Sequence, residues 1–563
     1  MSLVIDALVN LWRLLRNAYV RLFRRPPQYV WIEVSGSLPE FESRVGFLQR
    51  RVRLGPTGPS LEGIREQLRR ISADGRPRGV VLRIRGLDAG WAALEELRRE
   101  LATFRGRGGR VFAYLVEADS RSYYLACAAD EILATPLTTL GVTGVRTRVN
   151  FLRDALSRAG LEAEVVAVSP YKAAGEPLVR NDFSVESLEQ AQRLLDRRYE
   201  ELVDAMVEGR GIPAEEARAR IDQSPHVAPD ALARGLIDGV CYEDELPERL
   251  GTEGERARLV ERGAAQRSLR VPYRRSLRRR VGLVSLSGAI VRGKSRRLPV
   301  PLPLIGGEQA GSESVVAALR LAERNRRVGA ILFHVESRGG DALASDLIWR
   351  EVERIRTRKP VVVLMGNVAA SGGYYVSAAA NHVVARRTTI TGSIGVLSIR
   401  PVAENLYERL GVNPASLERG ARAGLLDPSH RPTRDELRVL QEQIGFIYAQ
   451  FKDRVSRGRA MEVPALEGIA GGRVWTGAEA HELGLADEVG GFEEALHKAL
   501  QLGKMERETP GVLLKISPPR SGRPAPGDPA EAAREIVENV KQAISELLAC
   551  RVWAAVPYEI SED

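Results

Sequence analysis

A serine at a predicted strand-to-helix turn is the strongest candidate for catalysis. Residues 361–373 read VVVLMGNVAASGG, an apolar, β-branched run that breaks at a glycine and then presents Ser371 before two further glycines. The following YYVSAAAN has the small-residue pattern of a helix. Such a turn lifts the hydroxyl out of the backbone, near the positive end of the helix, where a developing oxyanion is stabilised. The pattern indicates a nucleophile, although a glycine-rich turn that contains a serine without catalytic function would have the same sequence pattern.

A nucleophilic serine needs a base, and the six histidines of the chain are poorly placed. His382 lies about three helical turns, or ~16 Å, beyond Ser371, which is too far. His334, on the strand that feeds a glycine-pair loop, is the nearest rival. A desolvated lysine is the other base that activates serine. Lys172, in SPYKAAGEP after an apolar strand, is that candidate if burial lowers its pKa, although a surface lysine would fit the same spacing.

A second glycine-rich turn offers backbone amides for an oxyanion. Residues 336–341 read ESRGGD and lie between a predicted strand and a predicted helix at 342–356. Adjacent glycines allow backbone N–H groups to face an incoming carbonyl. Gly339 and Gly340 are therefore candidate oxyanion donors.

The elements that must position these residues belong to an internal repeat. Four separated blocks match at an offset of about 250 residues, among them YYLACAAD at 123–130 with YYVSAAAN at 374–381. Each half reads as alternating strands and helices with the crossover spacing of a mainly parallel sheet. The chain therefore contains two homologous α/β halves.

Only the second half combines a nucleophile turn with a candidate oxyanion hole. Ser120 aligns with Ser371, but it lies in DSRS without a glycine pair, and Arg121 stands where Gly372 would be. An arginine there would crowd a substrate. The first-half counterpart of the glycine loop, RGLDAG at 85–90, also lacks adjacent glycines. We therefore expect the serine site of the first half to be disabled.

These motifs resemble the signal peptide peptidase A family, the long, duplicated bacterial type of serine protease with the Clp/crotonase fold. The resemblance covers about residues 30–500 and rests on four motifs: ASGGYY at 370–375, TGSIGV at 391–396, the Gly339-Gly340 loop, and YK with EP and RND downstream at 171–182. It implies that Ser371 is the nucleophile and Lys172 the general base, each from a different repeat. It also implies an oxyanion hole built from the amides of Gly339, Gly340 and Gly372.

The resemblance implies a serine endopeptidase that degrades cleaved signal peptides and short unfolded peptides as a homo-oligomer, a tetramer. No His-Glu-x-x-His or P-loop motif is present, so neither metal nor cofactor is expected. Arg338 stands where the family usually has proline, which we expect to affect specificity more than activity. A crotonase-like acyl-CoA enzyme and an inactive scaffold of the same fold remain alternatives.

The predicted fold class is α/β, with two tandem Clp/crotonase-like repeats, mainly parallel sheets, and amphipathic helices at both ends. The predicted segments are a basic amphipathic helix (1–27), the first repeat (28–252), a charged linker (253–280), the second repeat (281–500), and a Pro/Gly-rich linker with a helix at 530–549 (501–563).

Charge and composition limit the classes of partner that the sequence predicts. The chain is 44% hydrophobic and 28% charged, as in globular proteins, with a net charge of +10 but no zinc-finger spacing or aromatic-interleaved basic motif. We therefore expect no nucleic acid partner. The cysteines are odd in number and far apart, which predicts neither a disulfide framework nor a metal site: Cys127, Cys241 and Cys550.

The N-terminal segment 1–27 has apolar residues at helical spacing, interrupted by arginines. Its uncharged runs are far shorter than the ~20 residues that span a bilayer. The pattern favours an interfacial helix over one packed on its own domain or on a partner. We expect a peripheral enzyme of a bacterial cytoplasmic membrane and leave the side of the membrane open.

Overall fold

The computed structural model describes residues 2–42, 58–252, 254–273, 279–302, 306–505, 512–517 and 553–555. The chain divides into two compact units. One contains Met1–Val145, Leu195–Leu277 and Thr509–Gly511, and the other contains Arg146–Leu194, Arg278–Glu508 and Val512–Asp563. This division cuts across the sequence repeats, because residues 146–194, which lie in the first half by sequence, belong to the second unit.

The strands of the first part of the chain are β1 Tyr29–Gly36, β2 Gly79–Leu87, β3 Arg110–Leu115, β4 Ala118–Asp119, β5 Glu131–Ala134, β6 Thr139–Gly141, β7 Glu162–Ala167, β8 His226–Val227, β9 Gly239–Val240 and β10 Leu259–Glu261. The later strands are β11 Arg280–Ser287, β12 Ala289–Val291, β13 Arg296–Leu302, β14 Gly306–Gly311, β15 Val328–Ser337, β16 Gly339–Asp341, β17 Val361–Ala370, β18 His382–Ala385, β19 Ile390–Gly392, β20 Leu397–Val402, β21 Val474–Thr476, β22 Glu488–Val489, β23 Leu513–Lys515 and β24 Trp553–Ala555.

The α-helices before the second repeat are Ser2–Phe23, Leu61–Asp74, Trp91–Gly106, Ser120–Ala126, Arg153–Arg158, Glu176–Val179, Val185–Arg210, Ala214–Asp222, Ala228–Ala233, Leu246–Arg249 and Arg262–Ser268. Those of the second repeat are Ser312–Arg324, Ala342–Arg356, Gly372–Ser377, Glu404–Leu410, Arg434–Arg459, Val463–Glu467, Gly477–Glu482 and Phe492–Leu502. Short 3₁₀ turns form at Ala173–Gly175 and Glu243–Glu245.

The first unit is built on a six-stranded sheet in the order β10-β1-β2-β3-β5-β9, in which every pair is parallel. A second, three-stranded sheet joins β4, β6 and β8. The main core of the first unit consists of apolar side chains from strands and helix faces, including Ile32, Leu82, Leu97 and Tyr123.

The second unit contains an eight-stranded sheet, mostly parallel, with β15 and β17 at its centre. Eight consecutive residues of β15, from Val328 to Val335, are buried, as expected of a parallel strand covered on both faces. A second sheet has the order β13-β14-β12-β16-β24-β20-β7, and in it β7 pairs antiparallel with β20. These mixed helices and mainly parallel sheets confirm the predicted α/β class.

The helix Ser2–Phe23 lies in the first unit and is fixed by polar contacts to the segment after Arg262–Ser268. Arg13 donates to the carbonyl of Pro272 at 2.6 Å, and Asn17 Nδ2 donates to that of Val271 at 2.9 Å. Val20 is buried, whereas eight large apolar side chains of this helix are exposed: Leu8, Leu11, Trp12, Leu14, Leu15, Tyr19, Leu22 and Phe23. Within the described ranges, no helix has the length and apolarity needed to cross a membrane. The helix predicted at 530–549 lies outside the described residues.

Candidate active site

Ser371 occupies the turn between β17 and the helix Gly372–Ser377, as its sequence pattern predicts. Its backbone has φ 55° and ψ −114°, a conformation rare for a residue with a side chain. Strain of this kind amounts to about 1–3 kcal/mol and persists only where the surroundings impose it. Here the Ser371 N–H donates to the carbonyl of Gly392 at 2.8 Å, while its own carbonyl accepts from Tyr375 N–H at 2.8 Å. The turn is therefore held from both sides.

Lys172 reaches this serine through the pairing of β7 with β20. The strand β7 ends shortly before Lys172, and the 3₁₀ turn Ala173–Gly175 follows it. Lys172 Nζ and Ser371 Oγ lie 2.7 Å apart, with Lys172 2% and Ser371 0% exposed. Both side chains belong to the second unit. The two residues that the sequence singled out therefore meet in one buried contact.

The environment of Lys172 suits a neutral amine. Burial holds the pKa of Lys172 well below its ordinary value. Nζ also lies 3.0 Å from the carbonyl oxygen and 2.9 Å from Oγ of Ser393. A neutral amine has two hydrogens and one lone pair. It can donate to the two Ser393 oxygens and accept the proton of Ser371, so all three neighbours are satisfied.

Ser393 was given no role by sequence reasoning. The signal was present, because Ser393 is the serine of the TGSIGV run, but the run alone does not show what the serine contacts. Its backbone has φ 51°, and its N–H donates to the carbonyl of Arg473 at 2.6 Å. Behind Lys172, a Cβ on Gly472 would lie 2.7 Å from the lysine backbone. These contacts fix both the position and the direction of the lysine.

Replacing Ser393 with alanine is expected to lower kcat/KM for peptide hydrolysis by about 10-fold, the effect of losing one hydrogen bond of about 1.4 kcal/mol. The lost acceptor stabilises the ammonium more than the amine, so the acidic limb of the pH–rate profile should also move to lower pH. Initial rates measured between pH 5 and 10 test both effects. An unchanged rate and profile would show that Ser393 does not act through Lys172.

The three predicted oxyanion glycines converge beside Ser371. Gly339 and Gly340 form β16 with φ 104° and 154°. A Cβ on Gly372 would lie 2.6 Å from Ser345 Oγ, 3.1 Å from Gly339 Cα and 3.2 Å from Gly340 N, so a side chain here would force these neighbours to shift. The Gly339 N–H donates to Ser337 Oγ at 3.1 Å. Gly339 thus serves close packing, and the amides of Gly340 and Gly372 are the better oxyanion candidates.

Glu336, which opens the glycine loop, also supports the strand that leads to Ser371. Its carboxylate accepts from the N–H of Asn367 at 2.7 Å and of Val368 at 3.2 Å. The β15–β17 register shifts at this point. A Cβ on Gly366 would lie 2.0 Å from Glu336 Oε2, so the glycine makes room for the carboxylate. Burial raises the pKa of Glu336 even though these N–H groups favour the ionised form.

Changing Glu336 to glutamine is expected to lower kcat by about 10-fold and the free energy of unfolding by about 1–2 kcal/mol. The amide of glutamine has one acceptor oxygen and would direct its NH₂ at backbone donors, which loosens the approach to Ser371. Steady-state kinetics and urea unfolding measure the two effects. Glu313→Gln, at an exposed helix position, is the control. Equal behaviour of both variants would contradict this role.

The histidines considered as rival bases have other places. His334 lies in β15 opposite Leu364 of β17, several residues before Ser371 along the strand. His382 Nε2 lies 2.9 Å from Glu488 Oε2. Neither is arranged to take the serine proton. In the part of the chain that the structure describes, no group of three or more His, Cys, Asp and Glu side chains could hold a metal ion.

The first-repeat counterpart is arranged differently. Ser120 Oγ donates to the carbonyl of Gly144 at 2.6 Å, so its proton is already committed to a main-chain oxygen. Arg121, at the position of Gly372, lies 3.5 Å from Asp88. A serine hydrolase with a lysine base is expected to have a strained serine and a buried amine beside adjacent glycines. These features are found around Ser371.

Comparison with known proteins shows to which family of serine hydrolases the chain belongs. The model of peptidase family S49 matches residues 104–255 and 353–506, one match in each half, and the chain belongs to this family. It is therefore a serine-type peptidase. The duplicated match agrees with the repeat found in the sequence.

Relatives match most of the chain. The chain is 32% identical to the chloroplastic serine protease SPPA of Arabidopsis thaliana, over 92% of this chain and 76% of the relative. It is 30% identical to protease 4 of Haemophilus influenzae, over 77% of this chain and 72% of the relative. A ClpP1 structure from Listeria monocytogenes, 14% identical, covers 38% of this chain and 94% of its own, with a TM-score of 0.24.

Proposed function

We propose that Ser371 and Lys172 form the catalytic dyad of a serine endopeptidase that degrades short, unfolded peptides, including the remnants of cleaved signal peptides. The observation that carries this proposal is the 2.7 Å contact between Lys172 Nζ and Ser371 Oγ, with both side chains buried. Membership of a peptidase family supports hydrolysis of peptides over an acyl-CoA reaction or an inactive scaffold.

In the proposed mechanism, the neutral amine of Lys172 removes the proton from Ser371 Oγ, which attacks the peptide carbonyl carbon. The negative charge that develops on the carbonyl oxygen is stabilised by the N–H groups of Gly340 and Gly372. The Lys172 ammonium then protonates the leaving amine as the peptide C–N bond breaks. The acyl group remains bound to Ser371 as an ester. Lys172 next deprotonates a water molecule, which attacks the ester carbonyl carbon. The bond between the acyl carbon and Ser371 Oγ then breaks, the Lys172 ammonium returns its proton to Oγ, and the second product leaves as a carboxylic acid.

Labelling with a fluorophosphonate probe tests the dyad, because the probe reacts with an activated serine and mass spectrometry locates the adduct. We expect labelling at Ser371 in the wild type, none in Ser371→Ala, and at least 100-fold slower labelling in Lys172→Ala. Ser120→Ala is the matched control, because it removes the aligned serine of the other repeat, and it should label at the wild-type rate.

Wild-type protein that is not labelled at Ser371, or Lys172→Ala protein that is labelled at the wild-type rate, would contradict the dyad. Cleavage of casein and of a synthetic signal peptide then tests the substrate class. Turnover of an acyl-CoA that survives Ser371→Ala would favour the crotonase-like alternative.

We also propose that the helix Ser2–Phe23 holds the enzyme at a membrane surface, as a peripheral protein of a bacterial cytoplasmic membrane. Support comes from its exposed apolar residues, such as Trp12 (61%) and Leu15 (61%), and from the arginines around them. Trp12→Glu/Leu15→Glu protein should lose flotation with vesicles of anionic lipid. Leu137→Glu, at an apolar side chain outside this helix that is 92% exposed, is the control. Equal flotation of both variants would contradict membrane contact.

We further propose that the protein forms a homo-oligomer, specifically a tetramer. Sedimentation equilibrium of the full chain should give four times the 61.9 kDa chain mass. A monomer at all concentrations would contradict it.

A further inference from the structure

The first unit contains a small cavity between the helices Leu61–Asp74 and Arg262–Ser268. Residues three or four positions apart lie on the same face of a helix. The first helix accordingly lines the cavity with Gly63, Gln67 and Arg70, and the second helix lines it with Arg262 and Gln266. The cavity measures about 20 Å³, which is room for a group of the size of one water molecule. A larger ligand can therefore place only one of its polar atoms inside.

Gln67 lines this cavity with an amide that has no hydrogen-bond partner. The residue is only 4% exposed, and neither Oε1 nor Nε2 makes a hydrogen bond to another described residue. Burying an amide without a partner is unfavourable, and almost all buried polar groups in proteins are bonded to protein, water or a ligand. The Gln67 amide, with a donor and an acceptor unused, therefore points to a polar ligand at this cavity.

Two arginines that line the cavity supply positive charge. Arg70 Nε donates to Glu66 at 2.9 Å, and the rest of its guanidinium is partly exposed. Arg262 approaches the first helix closely, since a Cβ on Gly63 would lie 3.0 Å from Arg262 Nη2 and 3.1 Å from Glu42 Oε1. Each guanidinium has five N–H donors in a planar fork, so both arginines keep donors for a further ligand.

Arg16 brings a third positive charge from the helix Ser2–Phe23. It donates to the carbonyl of Leu269 at 3.0 Å and to that of Gln266, which lines the cavity, at 2.8 Å. Burial and repulsion by the nearby Arg70 guanidinium lower the pKa of Arg16. The two guanidinium groups are therefore close enough to repel each other, and an anion beside them would relieve this repulsion.

We propose that the mouth of this cavity binds a phosphate group through Arg70, Arg262 and Gln67. Arginine holds phosphate with two parallel N–H···O bonds, and the planar forks of the two arginines suit this geometry. One phosphate oxygen fits the cavity of about 20 Å³ and accepts a hydrogen bond there from Gln67 Nε2. Gln67 Oε1 in turn accepts from a guanidinium, so both halves of the buried amide gain a partner.

An anionic lipid headgroup is the favoured source of this phosphate. The helix Ser2–Phe23, which brings Arg16 to the cavity, exposes Trp12 and Leu15. An amphipathic helix of this kind lies at the depth of the lipid headgroups and brings neighbouring basic residues to their phosphates. The lipid source rests on the membrane contact proposed above, whereas the phosphate site itself does not.

A soluble phosphate ester tests the site without a membrane. Phosphorus NMR titration of glycerol 1-phosphate with the full chain should show binding to the wild type and about 10-fold weaker binding to Arg262→Gln. Arg107→Gln is the matched control, since it removes the same charge at an exposed arginine of the same unit. It should bind glycerol 1-phosphate as the wild type does.

Gln67→Glu separates ligand binding from folding. Glutamate has nearly the shape of glutamine, but its carboxylate repels phosphate and pairs with the arginines in its place. We expect binding of glycerol 1-phosphate to weaken by about 10-fold or more, while the thermal unfolding midpoint stays at or above that of the wild type. Labelling at Ser371 should keep the wild-type rate in this variant and in Arg262→Gln, because the dyad lies in the other unit.

Vesicles distinguish a lipid headgroup from a soluble ester. Affinity for phosphatidylcholine vesicles that contain phosphatidylglycerol should fall about fivefold in Arg262→Gln and Gln67→Glu and stay unchanged in Arg107→Gln. Trp12→Glu/Leu15→Glu protein should lose flotation but still bind glycerol 1-phosphate. Weaker binding of glycerol 1-phosphate with unchanged vesicle affinity would support the phosphate site and assign it to a soluble ester.

Equal affinity of the wild type, Arg262→Gln and Gln67→Glu for glycerol 1-phosphate would overturn the inference, and so would the lack of measurable binding to all three. Wild-type protein that binds glycerol 1-phosphate but no vesicles would support the phosphate site and contradict only the membrane contact. Labelling at Ser371 reports on the dyad separately, because its rate does not depend on this cavity.

Discussion

Replacing Lys172 with methionine is expected to lower kcat/KM for peptide hydrolysis by about 10³-fold to 10⁴-fold, the loss typical of removing one member of a nucleophile–base pair. Methionine has a similar length but no basic nitrogen, so the packing survives while the proton acceptor disappears. The same change should raise the free energy of unfolding by about 1–2 kcal/mol, because functional residues are commonly held at a cost in stability. Steady-state kinetics and urea unfolding measure the two effects.

The stabilisation should depend on pH in a defined way. Burial lowers the pKa of Lys172 in the folded protein, so the unfolded chain binds more protons than the folded chain between that lowered pKa and the ordinary value near 10.4. Wild-type stability therefore rises with pH through this window. Lys172→Met lacks this term, so its advantage over wild type should shrink as pH approaches 10.4. Unfolding free energies measured between pH 6 and 10 test the trend.

The activity of the wild type should follow the same titration. Only the neutral amine can act as a base, so kcat/KM should fall as pH drops through the lowered pKa of Lys172. Lys294→Met, at an exposed lysine, is the control and should keep both the wild-type rate and the wild-type profile. A Lys172→Met enzyme with more than a tenth of wild-type activity would contradict the assignment of the base.

Replacing Gly340 with alanine is expected to reduce kcat/KM by about 10²-fold to 10³-fold, the effect of losing an oxyanion donor. The backbone of Gly340 has φ 154°, and a Cβ there would lie 2.1 Å from the carbonyl oxygen of Ile290. Because that neighbour is main chain, β12 and β16 must move apart and shift the Gly340 amide. We also expect a loss of about 2–3 kcal/mol in the free energy of unfolding.

Gly411→Ala separates backbone strain from this steric conflict. Gly411 has φ 66°, and a Cβ at this position meets no atom within 4 Å. Its replacement should lower stability by about 1 kcal/mol, the cost of a left-handed residue with a side chain, and leave kinetics unchanged. Parallel kinetics and thermal unfolding of both variants provide the comparison. Equal, small effects at both positions would show that the close contact with Ile290 is not required.

The features that could be predicted from the sequence are those that depend on local backbone preferences. The serine turn, the glycine pair and the α/β alternation follow from residues that are neighbours in the chain, because turns and periodicity depend on local backbone preferences. The internal repeat indicates the fold class, and it also shows that the first-half copy around Ser120 lacks the glycine pair of the second half. The poor placement of the histidines indicates a lysine base, but the sequence does not show what surrounds Lys172.

The amino-acid sequence by itself thus determined the chemistry available: a serine on a strand-to-helix turn, glycines beside it, and a lysine in the other repeat. Tertiary structure alone decided how these groups meet. The pairing of β7 with β20 puts residues 146–194 in the unit of Ser371, and it buries Lys172 against Ser393. The insertion of β24 beside Gly340 has the same origin. Strand pairing across hundreds of residues depends on the register and burial of the whole sheet, whereas a sequence motif records only its neighbours.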